Sequence, residues 1–299
     1  MKILIIGSSG FLGQHLVKTF NNSKNIELFH NGIKSKKFDL TKIINLEKII
    51  VQTSPDILIN CSGLTDLNLC EKNKKLSNKL NYEIVNNLFK IKKKKKINFN
   101  LIQLSTDQLY DNPKKIKNTE NSKIYINNQY SRDKYKAEKI ALRHKALVLR
   151  LNFIGHSSKK SGFLHWVKRS FLKKKRFYLF NDVYFNPISI TSLEKIILKI
   201  IFFMKKNKKI HGLFNLGSRD GMFKNDLATY FAKQISIFND KFIDINVNEL
   251  DKSLKKSKQM FMDVSKFEKK FNIKLPYLKK EILIESKKFL RNDYKNRKK

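Results

Sequence analysis

The chain alternates short, unbroken apolar runs with longer stretches in which apolar positions recur at helical intervals. Residues 3–6 are uninterrupted Ile and Leu, the pattern of a strand buried on both faces. A glycine-rich turn follows, and then a helical pattern over 11–20. The same alternation predicts strands at 26–29, 55–60, 98–104 and 146–150, with helices at 43–51, 71–96 and 129–144 between them. Residues 111–125 read as a polar loop containing Pro113. Strands of this kind alternating with helices predict an α/β chain with a doubly wound parallel (Rossmann) sheet.

After Arg150 the pattern changes. Helical spacing returns at 162–175, 192–205, 223–236 and 279–292, with short strands at 177–180 and 212–217. The expected organisation is a dinucleotide-binding domain over 1–150, completed by about 181–217. Residues 151–180 and 218–299 form a smaller second lobe.

Composition narrows the function. At 299 residues with 41% hydrophobic content, the chain can bury a large core. The formal charge of +39 suggests a polyanion partner, but only eight of the 64 basic residues are arginine. Readers of nucleic acid lean on the bidentate arginine fork, and the lysines here form no single stripe. Drift toward lysine is the favoured reading, and no nucleic-acid partner is expected. The two cysteines, Cys61 and Cys70, suit a reducing compartment, and no spacing suggests a metal site. Met1-Lys2 leads straight into a strand too short for a signal-peptide core, and the apolar run at 200–204 is broken by Lys199 and Lys205. A cytoplasmic protein without a membrane span is expected.

The turn Gly7-Ser-Ser-Gly10-Phe-Leu-Gly13 lies between a strand and a helix and spends three of ten glycines. That context lets backbone approach a pyrophosphate with helix amides pointing at it; a tight turn without ligand is the alternative. No acidic residue follows Phe29 to hold a ribose hydroxyl. His30, Lys34, Lys36 and Lys37 instead suit a 2′-phosphate, which favours NADPH with NADH as the alternative. Asp39-Leu40 suits an adenine ring or an ordinary helix N-cap.

Ligands of an open parallel sheet sit at the carboxyl ends of its strands. One strand ends in Asn60-Cys61-Ser62-Gly63-Leu64-Thr65, small enough for a dinucleotide to pass. The next ends in Leu104-Ser-Thr106-Asp107, where a hydroxyl can meet a substrate carbonyl or cap a turn. A Tyr-x-x-x-Lys pair on the following helix could move a proton. That spacing occurs four times, at Tyr110/Lys114, Tyr130/Lys134, Tyr135/Lys139 and Tyr294/Lys298. About two such pairs would arise by chance in so lysine-rich a chain, so spacing alone chooses none. Tyr130 and Tyr135, five residues apart, point about 140° apart on a helix and cannot both face one ligand.

Taken together, Gly7 to Gly13, Asp39-Leu-Thr, the 55–65 run, Glu71, Leu104-Ser-Thr-Asp107 and Tyr130-Ser-Arg-Asp-Lys134 with Glu138 resemble the extended short-chain dehydrogenase/reductase superfamily. Within it the chain is most similar to the dTDP-4-dehydrorhamnose reductase family. The order holds over nearly the whole chain, including Leu149–Phe153, 179–188 and 212–217. The resemblance implies an NAD(P)H-dependent reductase of a nucleotide-linked 4-keto-6-deoxy sugar, serving surface polysaccharide or glycan synthesis, with the second lobe binding substrate. It leaves room for a homodimer.

The family pattern is Tyr, a small residue, any two, Lys, then an acid four beyond, which Tyr130, Ser131, Lys134 and Glu138 match and Tyr135 does not. By resemblance Tyr130 is the general acid, and Lys134 binds the nicotinamide ribose and lowers the tyrosine pKa. Thr106 bonds the reacting oxygen, and Asp107, Asn152 and Phe153 lie at the substrate. Gly7, Gly10, Phe11, Leu12, Gly13, Asp39, Leu40, Cys61, Ser62, Gly63, Leu64, Thr65 and Leu104 line the cofactor. Gln108, Asn152 and Phe153 depart from the residues usual in rhamnose reductases, which puts the sugar in doubt. An epimerase or dehydratase of the superfamily is the second reading, and a non-catalytic NADP-binding subunit like that of methionine adenosyltransferase the third.

Overall fold

The computed structural model describes residues 1–31, 39–113, 117–173, 175–207, 210–250 and 254–297. In chain order its elements begin with β1 (Lys2–Ile6), α1 (Phe11–Asn21), β2 (Glu27–Asn31), α2 (Ile43–Thr53), β3 (Ile57–Asn60), α3 (Leu67–Lys72) and α4 (Lys74–Asn78). A π-helical turn, Lys79–Glu83, leads into α5 (Ile84–Lys94) and β4 (Asn100–Thr106), followed by a 3-10 turn at Asp107–Leu109. Next come α6 (Gln129–Arg143), β5 (Leu147–Leu151), β6 (Phe153–Ile154), α7 (Phe163–Leu172), β7 (Phe177–Phe180), β8 (Tyr184–Phe185) and β9 (Ile188–Ser189). The chain continues through α8 (Ile190–Lys206), β10 (Gly212–Leu216), β11 (Met222–Phe223), α9 (Lys224–Gln234), β12 (Phe242–Ile245), α10 (Val247–Leu250), α11 (Ser265–Phe271) and α12 (Leu278–Arg297).

The expected doubly wound sheet is present as six strands in the order β10-β5-β4-β3-β1-β2. β1 pairs in parallel with both β2 and β3, and β3 in parallel with β4. Strand order reverses at β1, which places the glycine turn at the switch point where such sheets bind ligands. The apolar run of β1 is buried from Ile3 to Ile6, as a strand covered by helices on both faces requires. α1 buries Leu12, Gly13, Leu16 and Phe20, one stripe at helical spacing.

The single helix expected at 71–96 is instead three helices and a π turn. Asp66 accepts from the Leu69 amide and starts α3 earlier than expected. Asn73, at φ −130° and ψ 74°, breaks the helix, and its side chain accepts from the Leu76 amide to start α4. Asparagine favours caps because its side chain competes for backbone groups, and the apolar period alone does not register that.

The chain divides into two compact units. The first holds residues 1–109, 126–150 and 194–214, and the second holds 110–125, 151–193 and 215–299. The boundaries differ from those expected: 110–125, 181–193 and 215–217 belong to the second unit. The first loop is drawn there by its own partners, since Asn118 bonds the Phe261 and Asp263 backbones and Asn215 bonds the Asn118 carbonyl.

Leu4, Ile6, Leu58, Leu88 and Val148 centre the core of the first unit. In the second, Leu164, Phe171, Leu227, Phe231, Ile282 and Phe289 form a separate core. Its short pairings, β7 with β12 in parallel, β8 with β11 antiparallel and β6 with β9 in parallel, are mostly two residues long. Strands of that length carry no readable period, and the sequence does not predict β6, β8, β9, β11, β12 or α11.

Candidate active site

The glycine turn is shaped by contacts that exclude side chains. Gly7 has φ +78°, and a Cβ there would come within 2.4 Å of the Ser62 nitrogen. A Cβ on Gly13 would lie 2.3 Å from the Gly7 carbonyl oxygen, so the helix packs directly on the turn. Gly10 is exposed and precedes α1, whose amino end has no side-chain cap and no acid in its first turn. An uncapped amino end at a strand–turn–helix junction fits a pyrophosphate.

Phe11 is half-buried, while Leu12 and Leu40 are buried, so only their backbones could face a ligand. Asp39 is not the N-cap of α2; that residue is Lys42. Asp39 instead closes a turn, accepting from the Thr41 hydroxyl and amide, and these bonds hold its carboxyl below the usual range. Lys34, Lys36 and Lys37 lie outside the described residues.

The loop after β3 is fixed from below. Asn60, buried, donates to Gln103 at 2.8 Å and accepts from the Ser62 amide at 3.0 Å. Gly63 and Thr65 are exposed. Asn81, on the π turn, accepts from the Leu64 amide at 2.9 Å and donates to the Leu64 carbonyl at 3.0 Å. Cys61 is partly exposed at its surface, yet burial pushes its thiol up to about 12. No motif in the sequence singles out Asn81. Its only sequence signal was an asparagine inside an apolar helical pattern, where it has poor propensity.

Helix α6 carries the acid–base candidates. Asn128 and Ser131 form a reciprocal capping box that starts it. Its inner face buries Tyr130, Lys134, Ala137, Glu138 and Ala141 at helical spacing. Thr106, at the end of β4, lies close enough to Tyr130 for its hydroxyl to favour the phenolate. Its own oxygen is bonded to Asp107 at 3.3 Å and accepts from the Gln108 amide at 3.2 Å. The Lys134 ammonium donates to the Leu104 carbonyl one residue pair earlier in the same strand. Burial lowers the Lys134 pKa to about 8, opposed by Glu138 and Cys61. Glu138 is buried against Arg150 and accepts from Ser105 at 2.8 Å, tying α6 to β4 and β5.

The tyrosine pKa departs from expectation. Burial raises that of Tyr130, Asp107 and Cys70 raise it further, and only the Thr106 hydroxyl lowers it. The Lys134 ammonium is bonded to the Leu104 carbonyl.

The other Tyr-x-x-x-Lys pairs are elsewhere. Tyr135 is half-buried, with Lys139 5.4 Å from its ring centroid. Tyr110 is fully buried and donates to Asn215 at 2.8 Å. Tyr294 is 61% exposed. Lys114 and Lys298 lie outside the described residues.

Asp107 is buried in the 3-10 turn beside Thr106. Asn152 and Phe153 belong to the second unit, where the Asn152 carbonyl accepts from the Ile188 amide at 3.0 Å. That unit also contains a cavity of about 330 Å³ lined by Gly162, Phe163, Trp166, Leu179, Phe180 and Lys224. The Lys224 ammonium stands 5.0 and 5.4 Å from the Phe163 and Phe180 ring centroids. No local pattern in the sequence announces it, since these residues come from α7 and its N-cap, β7 and α9. Among the described residues no cluster of His, Cys, Asp or Glu could hold a metal, and no helix is long and apolar enough to cross a membrane.

The family model for the RmlD substrate binding domain matches residues 1–288. The chain belongs to that family. This agrees with the dTDP-4-dehydrorhamnose reductase resemblance read from the motifs. A curated relative, a probable low-salt glycan biosynthesis reductase of Haloferax volcanii, is 21% identical over 295 residues, covering 94% of this chain and 96% of its own. Among solved structures, the fold matches a dTDP-4-dehydrorhamnose reductase of Clostridium acetobutylicum with a TM-score of 0.81 at 21% identity, over 95% of this chain and 98% of that one. It also matches the Bacillus anthracis dTDP-4-dehydrorhamnose reductase solved with NADP, with a TM-score of 0.84 at 16% identity and the same coverages of 95% and 98%.

Proposed function

We propose that this family member is an NADPH-dependent reductase of a nucleotide-linked 4-keto-6-deoxy sugar, acting in surface polysaccharide or glycan synthesis. The observation that carries the reading is the buried Thr106–Tyr130 hydroxyl pair with Lys134 one helical turn along. The glycine turn, the Gly63–Leu64 backbone and the amino end of α1 would hold the cofactor, and reduced nicotinamide supplies a hydride. Tyr130 keeps its proton because burial disfavours the phenolate, so its hydroxyl gives that proton to the ketone oxygen as the oxygen gains charge. Thr106 orients the same oxygen from the end of β4. Lys134 lies on the Tyr130 side of α6 and would meet the nicotinamide ribose. The aromatic cavity with Lys224 supports a nucleotide as the sugar's carrier, offering flat faces and one cation.

The test is NADPH oxidation across a panel of nucleotide-linked 4-keto-6-deoxy sugars. Stoichiometric oxidation with at least one is expected. Tyr130→Phe should lower turnover by about 10²–10⁴-fold while retaining NADPH affinity, and Tyr135→Phe should stay near wild type. No oxidation with any substrate, epimerisation without net oxidation, or a dead Tyr135→Phe beside an active Tyr130→Phe would each overturn the reading.

A further inference from the structure

A buried carboxylate immediately precedes Lys134. Asp133 is fully buried and accepts from the Ser77 hydroxyl at 2.7 Å, from the Gln129 amide at 3.0 Å to each oxygen, and from Asn78 at 3.4 Å. These donors are all neutral. A carboxylate accepts and does not donate, so Ser77 must spend its one hydroxyl hydrogen on Asp133. The Ser77 oxygen is then the acceptor toward Asn81, whose Nδ2 lies 3.3 Å away. That choice orients the Asn81 amide, with Nδ2 toward Ser77 and the Leu64 carbonyl, and Oδ1 toward the Leu64 amide.

The result is a set of hydrogen bonds running one way, from the Leu64 amide through Asn81 and Ser77 to Asp133. Bonds aligned in this way reinforce one another. Asn81 stands on a π turn, a departure from α-helix that often occurs at functional sites. The contact with the loop is close: a Cβ on Gly63 would lie 3.0 Å from Asn81 Oδ1. A residue at 133 without an acceptor would release the Ser77 hydroxyl to turn round and the Asn81 amide to flip, leaving the two Leu64 groups facing the wrong atoms.

We propose that Asp133 is a positioning residue which, through Ser77 and Asn81, sets the Gly63–Leu64 backbone in register with Tyr130 and Lys134 on its own helix. The inference rests on the reading above, in which that backbone carries the cofactor. Asp133 itself touches no reacting atom.

The experiment measures NADPH affinity and thermal unfolding of the full chain for wild type, Asp133→Leu, Asp133→Asn, Ser77→Ala and the Ser77→Ala/Asp133→Leu double variant. Asp133→Leu and Ser77→Ala should each weaken NADPH binding about tenfold, and the double variant should be no weaker than Asp133→Leu alone, as for residues acting in one network. Asp133→Asn keeps an acceptor for Ser77 and should stay within about threefold of wild type. Unchanged affinity in Ser77→Ala, or losses that add in the double variant, would overturn the proposal. Ser77→Ala and Asp133→Asn carry the test if Asp133→Leu does not fold. Binding is read without a sugar, so a wild type that binds NADPH but ignores these substitutions sinks this inference alone. A wild type that binds no NADPH sinks the functional reading with it.

Discussion

At the scale of the residue, Lys134 is the side chain whose environment differs most from what its motif suggests. Its ammonium is buried, bonded to the Leu104 carbonyl, with a pKa lowered from 10.5 to about 8. As pH rises through about 8, folded Lys134 loses the charge that would attract the cofactor. NADPH affinity should fall over that interval, and Lys134→Met should show no such step in a titration of affinity against pH. The stability sign is opposite. Unfolded Lys134 keeps its proton up to 10.5, so between about 8 and 10.5 the unfolded chain binds more protons and folding gains stability as pH rises. Tyr130 was legible only by resemblance, since four tyrosines shared the spacing. Burial sets Tyr130 apart from half-buried Tyr135 and exposed Tyr294, whereas Tyr110 is as deeply buried but is bonded to Asn215 within the second unit.

At the scale of the element, α6 is held by two different devices. Its start is fixed locally by the Asn128–Ser131 capping box, and its middle by the buried Glu138–Arg150 pair. Ser131 and Glu138 complete the family's Tyr–Lys pattern; Ser131 bonds Asn128, and Glu138 bonds Ser105 and Arg150. Removing one partner of a buried pair strands the other charge. Glu138→Gln should therefore cost about 3–5 kcal/mol of unfolding free energy, measured by urea denaturation, because Arg150 stays buried and charged. Breaks in the 67–94 helical run show the limit of periodicity. Apolar residues recur on both sides of Asn73 and of the π turn, so their spacing marks neither the cap nor the wider turn.

At the scale of the whole molecule, the charge of +39 is the feature least explained by fold. A strongly cationic chain attracts an anionic cofactor from a distance, and salt screens that attraction. The NADPH dissociation constant should rise about tenfold between about 50 mM and about 500 mM salt, measured by titration at fixed pH. A flat dependence would leave the lysines as composition without electrostatic effect on this ligand.

The sequence by itself determined the doubly wound sheet, the glycine turn and the strand ends where ligands belong. Those features follow from local patterns: apolar runs of strand length, helical periods, and glycine where no Cβ fits. Only the tertiary structure decided the boundaries between the two units, the two-residue strands of the second, and the aromatic cavity around Lys224. The same holds for the reach of Asp133 through Ser77 and Asn81 to Leu64. Each of these joins residues distant in the chain by contacts that no local period encodes. Their energies depend on burial and on which polar atom faces which, and those are settled only when the elements pack.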